Sequence, residues 1–156
     1  MDEALFIALS TEHLPSFYRA AYSIVRSRQD AEDAVQQALL KAWQARTRAH
    51  TGSERAWMMR IVIRECYTIL RRRKREIPTE ELPPIASGPE APASDVYAAI
   101  NTLPESLRTP FLLKYMEGLS EKEVAEAVGL SHASVKNRLF RARKVLQMQL
   151  NKEVDA

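Results

Sequence analysis

GLSEKEVAEAVGLSHASVKNRLFRARK, residues 118–144, reads as two helices joined by a tight turn. Ser120 and Glu123 form an S-x-x-E capping box, in which each side chain covers an orphan amide of a helix start. Val124, Ala125 and Val128 then make a short apolar stripe, and Gly129 stands where a helix needs a left-handed stop. Ser131 caps a second helix that runs on from about His132, with Val135, Leu139, Ala142 and Leu146 at helical spacing. The other face of that helix carries Lys136, Asn137, Arg138, Arg141, Arg143 and Lys144. This is the pattern of a helix-turn-helix whose second helix meets an anionic groove, which makes DNA the leading partner. An ordinary helical hairpin with a solvated basic face fits the same spacing, and the motif alone does not fix a role.

Working outward, the 156 residues suffice for one domain or two small ones, and 46% hydrophobic content excludes disorder throughout. Only 4 Gly and few alternating β-branched runs favour helices. No apolar stretch approaches the ~20 residues that span a bilayer, so no stable membrane insertion is expected. The chain opens with Asp2 and Glu3 and no basic cluster, unlike a secretory signal. Little sequence follows the basic helix, so no further C-terminal domain is expected. Cys66 is the single cysteine, and His13, His50 and His132 share no ligand spacing with it. Neither a metal, a cofactor nor a Cys-His catalytic pair is therefore expected, and Cys66 reads as a small buried apolar residue. No Gly-rich phosphate loop, paired-carboxylate pocket or activated nucleophile supports an enzyme.

The net charge of +3 conceals a sharp division. Residues 1–75 hold 14 Lys/Arg against 8 Asp/Glu, residues 76–95 none against 5, and residues 96–156 9 against 7. Two basic bodies are thus joined by an acidic connector, EIPTEELPPIASGPEAPASD, which contains five of the eight prolines. Such a segment excludes a helix or central strand and favours extended chain that could reach ~60 Å. The expected fold is all-α: two small helical domains, 1–75 and 96–156, joined by a proline-rich flexible linker, the second containing the helix-turn-helix.

Three helices are predicted before the linker. The first, about residues 11–27, would bury Leu14, Phe17, Tyr18, Ala21 and Val25. The second, N-capped by Asp30, runs to about Trp43 with a core stripe of Ala31, Val35, Ala38, Leu39 and Ala42. Its far side collects Asp33, Gln37, Leu40, Lys41 and Gln44. Leu40 among polar residues fits a partner anchor, although a lone exposed Leu needs no explanation. The third, about Glu54–Arg75, buries Met58, Val62, Cys66 and Ile69, extended by Met59, Ile63 and Leu70. Arg60, Arg64, Thr68, Arg71 and Arg75 fall opposite, and the helix ends in Arg71, Arg72, Arg73, Lys74 and Arg75. Basic residues suit a helix C-terminus through the macrodipole, but five in a row exceed what capping requires. With Arg60, Arg64 and Tyr67 they read as a phosphate-tracking surface with an aromatic for stacking. Trp57 fits either the core or a stacked base. The polar loop QARTRAHTGSE before it, residues 44–54, carries Arg46, Arg48 and His50 and is a candidate recognition loop.

Four stretches together resemble bacterial RNA polymerase sigma factors of the extracytoplasmic-function (ECF) group: DAEDAVQQALLKAW (30–43), AWMMRIVIRECYTILRRRKR (56–75), LPESLRTPFLLKYMEGLSEKEVAEAVGL (103–130) and SVKNRLFRARKVL (134–146). They cover about half the chain, in the family's order and around its linker. The resemblance implies a cytoplasmic specificity subunit and not an enzyme. Asp33, Gln36, Gln37 and Leu40 would dock on the β′ clamp helices of core RNA polymerase, which gives Leu40 a partner. Residues 1–75 would bind and melt the −10 element through Arg46, Arg48, His50, Trp57, Arg60, Arg64, Tyr67, Arg71, Arg72, Arg73, Lys74 and Arg75. The loop would hold one flipped base, at an unpairing cost of a few kcal/mol. Residues 96–156 would bind the β flap and read the −35 element through His132, Ser134, Lys136, Asn137, Phe140 and Arg141, with Arg138 nearer the backbone. The linker would thread the RNA-exit region. An anti-sigma factor, in some cases membrane-bound, is an expected partner alongside promoter DNA. The chain departs from the family's usual residues at Gln37, Glu54, Arg64, Thr68, Ala133 and Asn137. A free-standing LuxR-type regulator shares the GLS-x-x-E word but needs neither the DAED helix nor the basic run. A sigma mimic that only sequesters an anti-sigma protein is usually fused to a receiver domain and needs no basic recognition helix.

Overall fold

The computed structural model describes residues 1–48, 52–76 and 95–155, and these are helical with no strand. The first body contains α1 (Glu3–Val25), α2 (Arg28–Gln44), a single 3-10 turn at Arg46–Arg48 and α3 (Glu54–Glu76). The second contains α4 (Asp95–Thr102), α5 (Glu105–Tyr115), α6 (Glu121–Val128) and α7 (His132–Asp155).

Helix α1 begins well before the expected residue 11, because Asp2 caps it by accepting the Leu5 amide at 2.7 Å. Pro15 lies inside this helix on its exposed side, where solvent can serve the carbonyl that proline leaves without a donor. Arg26 ends the helix in the left-handed region at φ 55, and its amide donates to the Tyr22 carbonyl. A non-glycine residue pays on the order of 1 kcal/mol for that conformation. Phe17, Ala21 and Val25 are buried and Tyr18 half-buried, but Leu14 is 45% exposed and does not belong to the core. The cap of α2 is Ser27, whose hydroxyl accepts from the Asp30 amide, and not Asp30 as expected. Asp30 instead sits in the first turn, where a carboxylate suits the helix dipole.

Helix α3 starts on Ser53, which accepts the Ala56 amide at 3.1 Å, and buries Met58, Met59, Val62, Ile63 and Cys66. Burial, reinforced by Glu65 and Glu105, pushes the Cys66 thiol up to about 12. In the second body both capping-box bonds of Ser120 and Glu123 form at 3.1 Å, and Gly129 adopts φ 72 at the end of α6. Val135, Leu139, Ala142 and Leu146 of α7 are buried as the spacing predicts.

One apolar cluster, with Ala99, Ile100, Leu103, Leu107, Leu112, Ala142 and Leu146, lies wholly within the second body. The larger cluster is continuous between the bodies. It joins Phe17, Val35, Val62 and their neighbours to Leu113, Leu119, Val124, Ala127, Val135 and Leu139. The two bodies are therefore closed on each other.

Candidate nucleic-acid interface

The expected polymerase-docking residues form an open face. Asp33, Gln36, Gln37 and Leu40 are all exposed on α2, Leu40 at 58%, while Ala31, Ala34, Ala38 and Ala42 bury the opposite side. Asp33 accepts from Gln29 one turn earlier. Lys41 leans away from this set to pair with the buried Glu65 of α3.

The residues assigned by sequence to the −10 element are not all equivalent. Arg64, Arg71, Arg72, Lys74 and Arg75 are exposed, and Arg71 reaches the Thr68 hydroxyl on its own helix. Arg73 turns inward, pairing with Asp30 and donating to the Val25 carbonyl, so it closes the end of α1. Arg46 stacks over the Trp43 ring at 3.6 Å and donates to the Trp43 carbonyl, while its own carbonyl accepts from the chain amino group of Met1. Arg48 is exposed, and His50 falls outside the described residues. Trp57 is half-buried and packs against the core.

Ser53, Arg60 and Tyr67 recur every seventh residue and so share one face of α3. The second body meets all three. The Ser53 hydroxyl donates to Glu123 of α6 at 2.7 Å. The Arg60 guanidinium lies under the C-terminal end of α6, 3.6 Å from where a Cβ on Gly129 would stand. The Tyr67 hydroxyl donates to Glu105 of α5, and burial together with that carboxylate raises its pKa.

Further polar bonds clasp the bodies. Arg19 of α1 makes a bidentate pair with Glu117, through Nε at 2.9 Å and a terminal nitrogen at 2.5 Å. Arg55 bridges the Ser16 hydroxyl and the Glu117 carbonyl. Arg108, 3% exposed, donates to the carbonyls of Leu103 and Ser23. Burial, then the nearby Arg26, pull its pKa down to about 10. With Arg73 and Arg26 it gathers cations at the negative end of α1, which offsets part of their mutual repulsion. Sequence reasoning missed Arg19, Arg55, Glu105, Arg108 and Glu117 altogether.

The basic face of α7 is open. Lys136, Asn137 and Arg141 are exposed, and Phe140, 50% exposed, has the Lys144 ammonium 5.0 Å from its ring. Ser134 is held by Ser131, which accepts its amide and donates to its hydroxyl. His132 lies 3.3 Å from Glu121, whose carboxyl is held below its ordinary value chiefly by hydrogen bonding to Lys114. Arg138 donates back to the Ser106 carbonyl of α5 and so is tied to the helix-turn-helix scaffold.

Two family models match: sigma-70 region 2 over residues 9–76 and sigma-70 region 4 over residues 93–146. The chain is 33% identical to the RNA polymerase sigma factor SigV of Bacillus subtilis, with 97% of this chain and 94% of that one covered. It is 31% identical to the ECF RNA polymerase sigma factor SigM of Mycobacterium tuberculosis, over 91% and 75%. Among solved structures, the sigma factor RpoE of Bartonella quintana, in complex with the anti-sigma factor NepR, superposes with a TM-score of 0.79 at 28% identity, covering 94% of this chain and 96% of that one. CnrH, in complex with the cytosolic domain of CnrY, gives 0.70 at 25% identity, over 97% and 90%. The family is one of regulatory proteins rather than enzymes, and no helix of the described residues is long and apolar enough to cross a membrane. Basic recognition helix, basic α3 and both region matches lead to one assignment: the chain belongs to the RNA polymerase sigma factors of the extracytoplasmic-function group.

Proposed function

We propose that this chain binds core RNA polymerase, directs it to promoters with −35 and −10 elements, and helps melt the −10 region. The observation that carries the reading is the pair of basic helices, α3 and α7, each basic opposite an apolar stripe buried in the core. On α7, Lys136, Asn137, Phe140 and Arg141 enter the major groove at −35, and His132 and Ser134 lie at the helix start beside the backbone. Arg138, bonded to Ser106, acts through the scaffold. On α3, Arg60, Arg64 and Tyr67 face the −10 strand, with Trp57 beside them. Arg71, Arg72, Lys74 and Arg75 hold its phosphates, and the loop with Arg46, Arg48 and His50 receives a base. Arg73 serves the fold through Asp30.

The α2 face of Asp33, Gln36, Gln37 and Leu40 takes the β′ clamp helices, and the second body takes the β flap. The chain works in the cytoplasm, with an anti-sigma factor as its controlling partner, membrane-bound in one version of this arrangement. Residues 1–75, 76–95 and 96–156 are the corresponding working units.

Run-off transcription with purified core polymerase tests the whole. A promoter-dependent transcript is expected; tight dimeric binding to duplex DNA without any transcript would sink the reading. Leu40→Asp is expected to abolish core capture in a pull-down while circular dichroism stays unchanged, since an exposed position costs within about 0.5 kcal/mol. Normal capture by that variant would remove α2 from the docking surface.

A further inference from the structure

We propose that a cavity at the C-terminal end of α1 binds a small organic anion, an oxyanion head carried on an apolar body. The assignment does not depend on the promoter roles proposed for α3 and α7.

The cavity encloses about 500 Å³, within the range of small-molecule sites. Its walls come from the end of α1, the last turns of α3 and the turn between α4 and α5. Leu70, half-buried, and Pro104, exposed, give it an apolar side, while Arg26, Arg73 and Arg108 bring three guanidiniums to it. Arg73 is answered by Asp30. Arg26 and Arg108 are not. Among the described residues neither forms an ion pair, and their hydrogen bonds go to the neutral carbonyls of Asn101, Leu103 and Ser23. Glu105 also lines the cavity, but it accepts from the hydroxyls of Tyr67 and Thr109. Arg108 is 3% exposed, and its Nε is buried with no hydrogen-bond partner among the described residues.

Two such guanidiniums side by side are short of a counter-ion, because buried charge is ordinarily paired. After burial itself, the charge of Arg26 is what most lowers the Arg108 pKa, so the two repel. The negative end of α1 offsets only part of that repulsion, since a helix terminus carries about half a unit charge. An oxyanion in the cavity would turn the repulsion into two attractions. Guanidinium suits this task, because its planar fork meets a carboxylate or phosphate with paired hydrogen bonds. A bare phosphate makes no use of Leu70 and Pro104, whereas an attached ring or short chain would rest on them.

Isothermal titration calorimetry of the full chain at low ionic strength compares phenyl phosphate, phenylacetate, inorganic phosphate and benzyl alcohol. Phenyl phosphate or phenylacetate is expected to bind one-to-one and to raise the melting temperature, at least about tenfold more tightly than inorganic phosphate or benzyl alcohol. Whichever of the two binds more tightly separates a phosphate-bearing ligand from a carboxylate-bearing one, and either result supports the site. Arg26→Gln removes one of the two unpaired cations and should weaken binding by about tenfold. Lys122→Gln removes an exposed cation of α6 outside the cavity and should change it by less than about twofold. Arg108 also holds the Leu103 and Ser23 carbonyls, so its replacement tests the fold and not the site. Its part is read in the parent chain instead. The NMR signals of the Arg26 and Arg108 Nε–H groups should both shift on addition of phenyl phosphate. Shifts confined to Arg71, Arg72 and Arg75, or no preference over inorganic phosphate, overturn the assignment. Equal affinity in Arg26→Gln and Lys122→Gln overturns it too, because general attraction to a basic chain then accounts for the binding.

Discussion

Helices α3 and α7 are both basic, both amphipathic and both rooted in the same apolar cluster, yet α7 keeps its basic face open while part of the polar side of α3 is covered. On α7 the buried stripe of Val135, Leu139, Ala142 and Leu146 leaves Lys136, Asn137 and Arg141 in solvent. On the other side of α3, Ser53 at the helix start and Tyr67 each bond a carboxylate of the second body, with Arg60 between them beside Gly129. Sequence amphipathicity treats the two alike. The difference arises from where the second body lands, and it teaches that a basic face can be present and still be spoken for.

The comparison can be broken most severely at Leu139, which is fully buried on α7 within the cluster that spans both bodies. Leu139→Ala is expected to cost about 2–5 kcal/mol. A thermal or urea melt should show that loss, and binding through both helices should fail together. A variant that lost only −35 binding would show that the shared cluster does not couple them. Arg141→Ala sharpens the comparison on the open side. Discrimination at −35 should fall by about 1–3 kcal/mol, with strand binding by α3 and core capture unchanged. Equal use of promoters with and without a −35 element by the parent chain would refute it.

On α3, replacing the exposed Arg71, Arg72 and Lys74 by Ala should lower open-complex formation and reduce the salt slope of strand binding by roughly 2. These three cations are exposed, so the fold should survive their loss. An unaltered slope would contradict phosphate contact.

The smallest effect concerns pH. Burial raises the Glu123 carboxyl, but hydrogen bonds from the Ser120 amide and the Ser53 and Ser120 hydroxyls outweigh it and hold the group below its ordinary value. A carboxyl lowered in the closed chain contributes fully above its ordinary value, and that contribution is lost as pH falls through the lowered one. Scattering should therefore show a chain unchanged from about pH 7 to 5 and loosening only near pH 4 and below. Loosening that began above pH 6 would assign closure to another group.

Local chemistry made much of the fold legible. The capping box of Ser120 and Glu123, the left-handed Gly129 and the spacing of Val135, Leu139, Ala142 and Leu146 are all written within about three turns of helix. The start of α1 was missed because its cap is a single Asp2, and Pro15 resembles a first-turn proline more than an interior one. Spacing alone places Leu14 in the core, yet it is 45% exposed on the side of α1 it occupies. The clasp had no local signature. Arg19 and Glu117 are 98 residues apart in sequence, and nothing near either names the other. Of the candidate site, the exposed residues of α7 and of the α2 face were legible as polar patterns opposite apolar stripes, while the roles expected of them came from the resemblance. Arg73 reads identically to Arg72, and only its proximity to Asp30 and the end of α1 separates their tasks.

Gly129 has a bearing on inheritance. It ends α6 in a backbone state that side chains resist, while the Arg60 guanidinium of the other body lies only at ordinary contact distance, 3.6 Å from where a Cβ would stand. A genetic screen that recovered a substitution there would score it first as a −35 defect, because the turn before the recognition helix is strained. A Cβ there would meet Arg60 only at ordinary contact distance, so compensating mutations should arise on α6 and α7 rather than on α3.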